Sequence, residues 1–214
     1  MKNITGEDIV IGVDIALNKT GIVIMSQKMK IVYTHTLVLK QNLTYLAKLD
    51  EILTYFREFF EEVFEQKPAS VQLVLEGRLT RGFSGSTLAS IEGARVTTYH
   101  AFHLTLQKCV PGEKPNVFIY SPGVVKQFFT GKTTANKSEM LKSAYSRFSS
   151  LEKIEFQEDV FDAIYLGLFH ILEGRKGIDA ATKRAKKSPK PKNTGSVARP
   201  RKAPSKPRRR PRKT

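Results

Sequence analysis

The chain has 214 residues, of which 40% are hydrophobic, enough for one ordinary domain with a sizeable core and an appendage. Its single cysteine, Cys109, excludes an intramolecular disulfide framework and any cluster of cysteine ligands. No apolar run reaches membrane-spanning length, and the amino terminus lacks a basic region followed by an apolar stretch. We therefore expect a soluble intracellular protein that does not enter a membrane.

The net charge of +16 lies almost entirely at one end of the chain. Residues 174–214 carry seventeen Lys and Arg against one acid, Asp179, whereas residues 1–173 carry nineteen basic and nineteen acidic residues. Residues 174–214 also hold six of the ten prolines and no aromatic ring, so they cannot bury enough surface to offset their chain entropy. The sequence predicts a folded domain over 1–173 and a disordered basic tail over 174–214.

The first predicted elements are three strands over 9–15, 21–25 and 31–39, joined by turn-compatible pairs. A long amphipathic helix follows over 43–64, because apolar residues recur there in alternating steps of three and four. The short apolar run over 71–76 is typical of a buried strand. Then come a helix over 86–107, a strand over 117–120, a helix from Pro122, a helix over 137–148 and a closing helix over 157–172. This order predicts an α/β layered fold.

Two acidic residues stand where predicted strands end. Asp14 interrupts the apolar sequence of the first strand, where a charge is costly unless it is solvated, paired or bound to a metal. Glu76 ends the buried strand over 71–76, at the kind of sheet edge where α/β proteins commonly bind ligands. Taken singly, both acids also fit exposed strand ends, and Asp14 fits a turn cap.

A pair of acids, Asp159 and Asp162, lies at the start of the closing helix. The two residues lie about 60° apart around the helix axis, away from its apolar stripe, so they can share a ligand. The ordinary alternative is favourable placement of acids in a first helical turn, which Glu158 reinforces. Two strand-end acids followed by a helical acid pair is the arrangement of ribonuclease-H-like nucleases, and four carboxylates suit two Mg²⁺ ions.

The sequence resembles the RuvC family of Holliday junction resolvases over most of residues 8–172. The matching stretches are IGVDIALNKTG at 11–21, VLEGR at 74–78, EGARV at 92–96, SPGVVKQFFTGKTTANKSEM at 121–140 and EDVFDAIYLGLFH at 158–170. The resemblance implies a mixed five-stranded ribonuclease-H-like sheet flanked by helices. It also implies an endonuclease that resolves four-way junctions by paired symmetric nicks, leaving 5′-phosphate and 3′-hydroxyl ends. The implied ligands of two Mg²⁺, with Mn²⁺ as a substitute, are Asp14, Glu76, Asp159 and Asp162.

The segment after Glu76 is rich in Gly and basic residues and is expected to form a mobile loop on the DNA. Arg78 and Arg81 are candidate phosphate contacts. Leu79 stands where members of the family often carry an aromatic wedge, and either Leu79 or Phe83 is expected to separate bases at the crossover. This departure, with the absence of the Pro-Gly that often follows the family's first Asp, indicates a divergent member, for which a viral or phage origin is one explanation.

Three lysines are further candidates for DNA contact: Lys126, Lys132 and Lys137. Lys126 and Lys137 resemble the family's basic residues near the scissile strand, and both also fit ordinary solvated helix lysines. The GKTT loop at 131–134 is not a Walker phosphate loop, because Lys126 stands where that pattern needs a glycine, so no nucleotide cofactor is expected. His170 lies two helical turns from Asp162, too far to share one metal with it, and is assigned a packing or supporting role.

The expected partners are DNA and a second copy of the chain. Small residues in the helix over 86–107 would let another helix approach closely, and the resemblance implies a homodimer through this region, whose two active sites suit two symmetric cuts. The basic tail is expected to hold DNA without reading its sequence, with a nuclear import signal as the alternative. Two other functions stay open: a nuclease acting on other branched DNA or on RNA, and a non-catalytic protein that binds or condenses DNA.

Overall fold

The structure, a computed structural model, describes residues 2–77, 84–147 and 158–185, without the side chains at 147, 158–159 and 174–185. Its elements in chain order are β1 (Asp8–Asp14), β2 (Lys19–Ser26), β3 (Ile31–Val38), α1 (Tyr45–Glu65), β4 (Ser70–Glu76), α2 (Gly85–Cys109), β5 (Asn116–Tyr120), α3 (Pro122–Thr130), α4 (Lys137–Arg147) and α5 (Glu158–Ala185). The sequence predicts each of these elements, and the largest difference concerns the length of α5.

The five strands form one mixed sheet in the order β3-β2-β1-β4-β5. The β1–β2 and β2–β3 pairs are antiparallel, whereas the β1–β4 and β4–β5 pairs are parallel. The predicted mixed five-stranded sheet flanked by helices is therefore confirmed. Because β1 lies at the centre of the sheet with a parallel neighbour, its carboxyl end and that of β4 reach the same edge.

Helices cover both faces of the sheet, so the central strands are apolar on both sides. Side chains of β1 alternate between two buried clusters: Ile11 joins the one that contains α1 and α2, and Val10 joins the one that contains α3, α4 and α5. In the first cluster, Phe60 of α1 packs against Phe102 of α2 with ring centroids 5.1 Å apart. This double burial explains why β1 reads as a continuous apolar run that is broken by Asp14.

Local signals fix the helices near the carboxyl edge of the sheet. Helix α3 begins at Pro122, and its C-terminal cap is Gly131, whose φ of 76° favours glycine. The start of α4 is fixed by a reciprocal cap in which the backbone N–H of Glu139 donates to Asn136 Oδ1 and that of Asn136 donates to Glu139 Oε2. These caps hold the segment that carries the three candidate lysines.

Helix α5 is longer than the sequence predicts. It continues to Ala185 rather than ending at Leu172, and so crosses the boundary predicted between domain and tail. The apolar stripe that marks the helix stops near Leu172, whereas the following residues include Ala, Lys and Arg, which favour helix without producing a periodic apolar pattern. Of the tail predicted over 174–214, the first twelve residues therefore lie in α5, and residues 186–214 lie outside the described part of the chain. Among the described helices, none combines the length and apolar character needed to span a bilayer.

Candidate active site

Two of the candidate acids meet at the carboxyl edge of the sheet. Asp14 is the last residue of β1 and Glu76 is the last residue of β4. The parallel register pairs Val13 with Leu75, so the two acids follow on adjacent strands and in step. Their carboxyl groups share a hydrogen bond. Strand pairing alone therefore brings together two residues that lie far apart in the sequence.

The third acid, Asp162, is brought to this edge by the close packing of α5 on β1. Gly12 lies directly beneath the carbonyl oxygen of Ala163, and a Cβ at position 12 would collide with that oxygen. Farther along the helix, a Cβ at Gly167 would contact the Met25 sulfur at 3.0 Å. Ala163 itself is fully buried. The two glycines let α5 lie close against the sheet, and Asp162 directly precedes the Ala163 contact.

The three acids interact electrostatically. Burial, then the charge and hydrogen bond of Asp14, then the charge of Asp162 raise the pKa of Glu76 to about 9, while the Lys126 ammonium acts in the opposite direction. Glu76 therefore favours the protonated form near neutral pH. A divalent cation among these carboxylates would offset the repulsion that holds this proton.

Two lysines border the acids on different sides. Lys126 lines a cleft that also contains Glu76, Asp162 and Tyr165, here named the Lys126 cleft. Lys137 lines a second cleft with Asp162 and Tyr165, the Lys137 cleft, and its Nζ lies 4.0 Å from Asp162 Oδ2. More than half of the Lys137 side chain is exposed, so this ion pair adds little stability and leaves the ammonium group available to an incoming phosphate.

The remaining predicted site residues are placed differently. Lys132 lies beyond α3, where its Nζ is 3.0 Å from Glu139 Oε1, so it reinforces the cap of α4. Four candidate DNA contacts fall outside the described residues, and the same holds for the side chain of Asp159, whose backbone lies in the first turn of α5. The four contacts are Arg78, Leu79, Arg81 and Phe83.

Sequence reasoning gave no role to Arg95, a buried arginine of α2. Its guanidinium donates to the backbone carbonyl of Glu76 at 3.5 Å and to the Glu92 carboxylate. The backbone N–H of Gly77 donates to the Tyr120 carbonyl at 2.7 Å, so the end of β4 is held from both sides. The only sign of such a role in the sequence is that Arg95 is a charged residue among the small residues of α2, within the EGARV stretch.

His170 belongs to a polar network beneath the acids. Its Nδ1 lies 2.8 Å from the Tyr120 hydroxyl, and its Nε2 lies 2.8 Å from Gln72 Oε1, which also accepts from the Gln27 side chain. An amide oxygen accepts only, so His170 donates through Nε2, and the neutral ring accepts at Nδ1 from the Tyr120 hydroxyl. Burial lowers the pKa of His170. The network ties α5 to β4 and β5, a supporting role rather than a metal-binding one.

A mixed sheet in this order, with helices on both faces, defines the ribonuclease-H-like fold, and the solved structures that the chain resembles include Holliday junction resolvases. One is the Thermus thermophilus RuvC structure, with a TM-score of 0.60 and 15% identity over 79% of this chain and 96% of that chain. T. thermophilus RuvC in complex with a Holliday junction substrate gives a TM-score of 0.61 at the same identity and coverage.

A third similar structure is the yeast mitochondrial Holliday junction resolvase Ydc2. It has a TM-score of 0.53 and 12% identity over 85% of this chain and 86% of that chain. No protein-family model and no curated protein sequence matches this chain. At these identities the likeness shows the fold.

Proposed function

We propose that the protein is a divalent-metal-dependent DNA endonuclease of the RuvC type, which resolves four-way junctions by paired symmetric nicks. The observation that carries this proposal is the meeting of Asp14, Glu76 and Asp162 at one edge of a ribonuclease-H-like sheet, with Lys126 beside them. The likeness of the fold to junction resolvases supports the choice of substrate. Asp159 is the proposed fourth acid, since its backbone lies one turn before Asp162.

The residues present fit Mg²⁺. Carboxylate oxygens are the hard ligands that this ion prefers, and the raised pKa of Glu76 reflects a repulsion that a cation would remove. As the described side chains stand, no group of three or more His, Cys, Asp or Glu is positioned to hold an ion. Asp159, whose side chain lies outside the described residues, is the proposed addition that would complete the set.

In the proposed hydrolysis of a phosphodiester, the acids bind the metal and the lysines contact the phosphate. Bound Mg²⁺, or Mn²⁺ in its place, supplies a water of lowered pKa and Lewis-acid stabilisation of the leaving 3′ oxygen, which yields 5′-phosphate and 3′-hydroxyl ends. Asp14, Glu76 and Asp162 would hold the ion, and Glu76 would have to release its proton to do so. Lys126 and Lys137 offset the phosphate charge from two sides of Asp162.

Paired cuts require two active sites, and α2 is the proposed contact between two copies of the chain. Its outer surface carries the exposed apolar residues Val96, Tyr99 and Leu104. The segment over 78–83 and the basic residues after α5 are the proposed DNA contacts beyond the acids. A nuclease acting on other branched DNA or RNA would use the same acids, so substrate comparison separates the two functions.

The decisive experiment compares the wild-type chain with Asp14→Asn on matched four-way junction, flap, duplex and RNA/DNA substrates, in Mg²⁺ and then in EDTA. The wild type should place paired symmetric nicks in the junction and lose this activity in EDTA. Asp14→Asn should cut at least about 100-fold more slowly, because it removes a metal ligand. Loss of a residue that only hydrogen-bonds to a ligand typically costs about 10- to 100-fold, and loss of the ligand itself should cost more. Junction binding should persist.

The matched control is Asp8→Asn, the same substitution at the opposite end of β1. Asp8 accepts a hydrogen bond from Ser70 at 2.6 Å, and an asparagine oxygen can accept it equally, so cutting should be unchanged. Mg²⁺-dependent cutting by Asp14→Asn at the wild-type rate would refute the site. Preferential cutting of flaps or RNA/DNA would keep the site and replace the substrate, and binding without any cutting would favour a DNA-binding protein.

A further inference from the structure

Tyr165 is a buried tyrosine of α5 whose hydroxyl group the packing does not explain. The residue is 2% exposed, and its hydroxyl has no hydrogen-bond partner among the described residues. The ring packs against Phe129 with centroids 5.2 Å apart and stacks on Phe161 at 6.4 Å. A phenylalanine would fill the same aromatic surroundings without an unsatisfied polar group, so packing accounts for the ring and leaves the hydroxyl without a role.

The position of Tyr165 on the helix brings it to Asp162. Residues three apart on a helix are neighbours, and long helical side chains lean toward the N-terminus, so the Tyr165 ring lies over the turn that contains Phe161 and Asp162. The stacking on Phe161 agrees with this direction. Tyr165 and Asp162 also line both the Lys126 cleft and the Lys137 cleft together. The hydroxyl is therefore buried beside a proposed metal ligand.

The nearest acceptors for this hydroxyl are atoms of the protein. The oxygen has almost no exposed surface, so a DNA phosphate does not reach it directly. Burial, and after it the negative charge of Asp162, raise the pKa of Tyr165, so this carboxylate is the acid near the hydroxyl. Its Oδ2 lies 4.0 Å from the Lys137 ammonium. A carboxylate that turns to ligate a metal through one oxygen can accept a hydrogen bond at the other, and metal-binding carboxylates are commonly held this way.

We propose that Tyr165 is a positioning residue that donates a hydrogen bond to the Asp162 carboxylate when this carboxylate binds the divalent metal ion. A tyrosine hydroxyl is protonated at neutral pH and donates one hydrogen bond, so it can orient Asp162 without competing for the ion. The inference rests on the proposed metal site. It adds a residue that touches neither metal nor DNA and sets how tightly the metal is held.

The test is Tyr165→Phe, measured by calorimetric titration with Mn²⁺ and by thermal unfolding in EDTA. Affinity for Mn²⁺ should fall about tenfold, the lower end of the loss expected when the partner of a metal ligand is removed. The unfolding midpoint in EDTA should be unchanged or higher, because the variant removes an unsatisfied buried hydroxyl. A role in packing alone would not combine weaker metal binding with an undiminished midpoint.

Two further variants distinguish failure of this inference from failure of the proposed function. Tyr55→Phe is the matched control on the other face of the sheet: it removes the hydrogen bond with Tyr33, so it should lower the midpoint and leave Mn²⁺ affinity unchanged. Asp162→Asn should weaken Mn²⁺ binding more than Tyr165→Phe does. If Asp162→Asn weakens binding and Tyr165→Phe binds like the wild type, the inference is overturned and the metal site stands. A wild-type chain that binds no Mn²⁺ overturns both.

Discussion

Glu76 is the acid whose environment most opposes its charge. Its folded-state pKa of about 9 lies above the ordinary value of 4.5, so between these values the folded chain binds a proton that the unfolded chain has released. The stability that this group contributes is therefore fully present below about pH 4.5 and is lost as pH rises through about 9. In the absence of metal, the acid cluster makes the protein less stable in alkaline solution.

Glu76→Gln should remove the loss of folding stability at high pH. A glutamine is neutral at every pH and can still donate a hydrogen bond to Asp14, so the variant should be more stable than the wild type near pH 9 in EDTA, by about 1–2 kcal/mol. The difference should shrink toward pH 5, where both side chains are uncharged in the folded state. Chemical denaturation across this pH range measures the effect, and added Mg²⁺ should stabilise the wild type alone.

The exposed residue Glu58 of α1 provides the control for this prediction, since Glu58→Gln should leave the pH dependence of stability unchanged. If Glu76→Gln and the wild type lose stability in parallel from pH 5 to pH 9, the carboxyl group of Glu76 does not carry the effect, and the assignment of a shared proton to this pair is wrong.

At the scale of elements, the contact between β1 and α5 decides whether the acids meet. Gly12 leaves room for the Ala163 carbonyl oxygen, with which any side chain at this position would collide. Gly12→Ala should push α5 away from the sheet, lower the free energy of unfolding by about 1–3 kcal/mol and suppress Mg²⁺-dependent cutting. Unfolding curves together with the junction assay check both effects.

Gly167→Ala offers a graded comparison on the same helix. Its Cβ would lie 3.0 Å from the sulfur of the flexible Met25 side chain rather than against a backbone oxygen, so the variant should lose less stability and keep its cutting activity. Equal effects of the two substitutions would mean that tight backbone contact at Gly12 does not position Asp162.

The pattern of apolar residues was sufficient to predict the elements of the fold. Strands and helices follow from local spacing, and Asp14 and Glu76 are conspicuous because each ends an apolar run. The partners of Arg95, His170 and Tyr165 were not predictable in this way, because their surroundings come from distant segments. His170, for example, bonds to a glutamine 98 residues away. The length of α5 was missed because its extension carries no apolar stripe.

At the scale of the whole molecule, the charge of the chain is divided between two regions. Residues 186–214 contain thirteen Lys and Arg and no acid, whereas the acids of the proposed site lie in the balanced region that precedes them. A polycation of this kind binds phosphates through counterion release, without reading sequence. We propose that these residues hold the protein on DNA and that the folded region makes the cuts.

Deletion of residues 186–214 tests this division, and the end of α5 at Ala185 makes it a better boundary than the predicted one. Each phosphate contact contributes about −0.9 to the slope of log K against log[salt], so the deletion should flatten that slope by several units. Fluorescence anisotropy with a labelled junction between 50 and 200 mM salt, about the range over which such contacts are lost, measures it.

Two outcomes would contradict the division of roles. An unchanged salt slope would show that the basic residues do not contact DNA. Loss of Mg²⁺-dependent cutting at saturating junction concentration would show that they take part in catalysis rather than only in binding.

The close contact between Gly12 and Ala163 also determines when, during synthesis of the chain, the acids can come together. Asp14 and Glu76 are synthesised early and can meet once β1 and β4 pair, but Asp162 joins them only after α5 has been made and has docked on the sheet. A chain still emerging from the ribosome therefore carries an incomplete set of acids. Under the proposed function, DNA near the site of synthesis is exposed to the nuclease only after α5 has been made and has docked on the sheet.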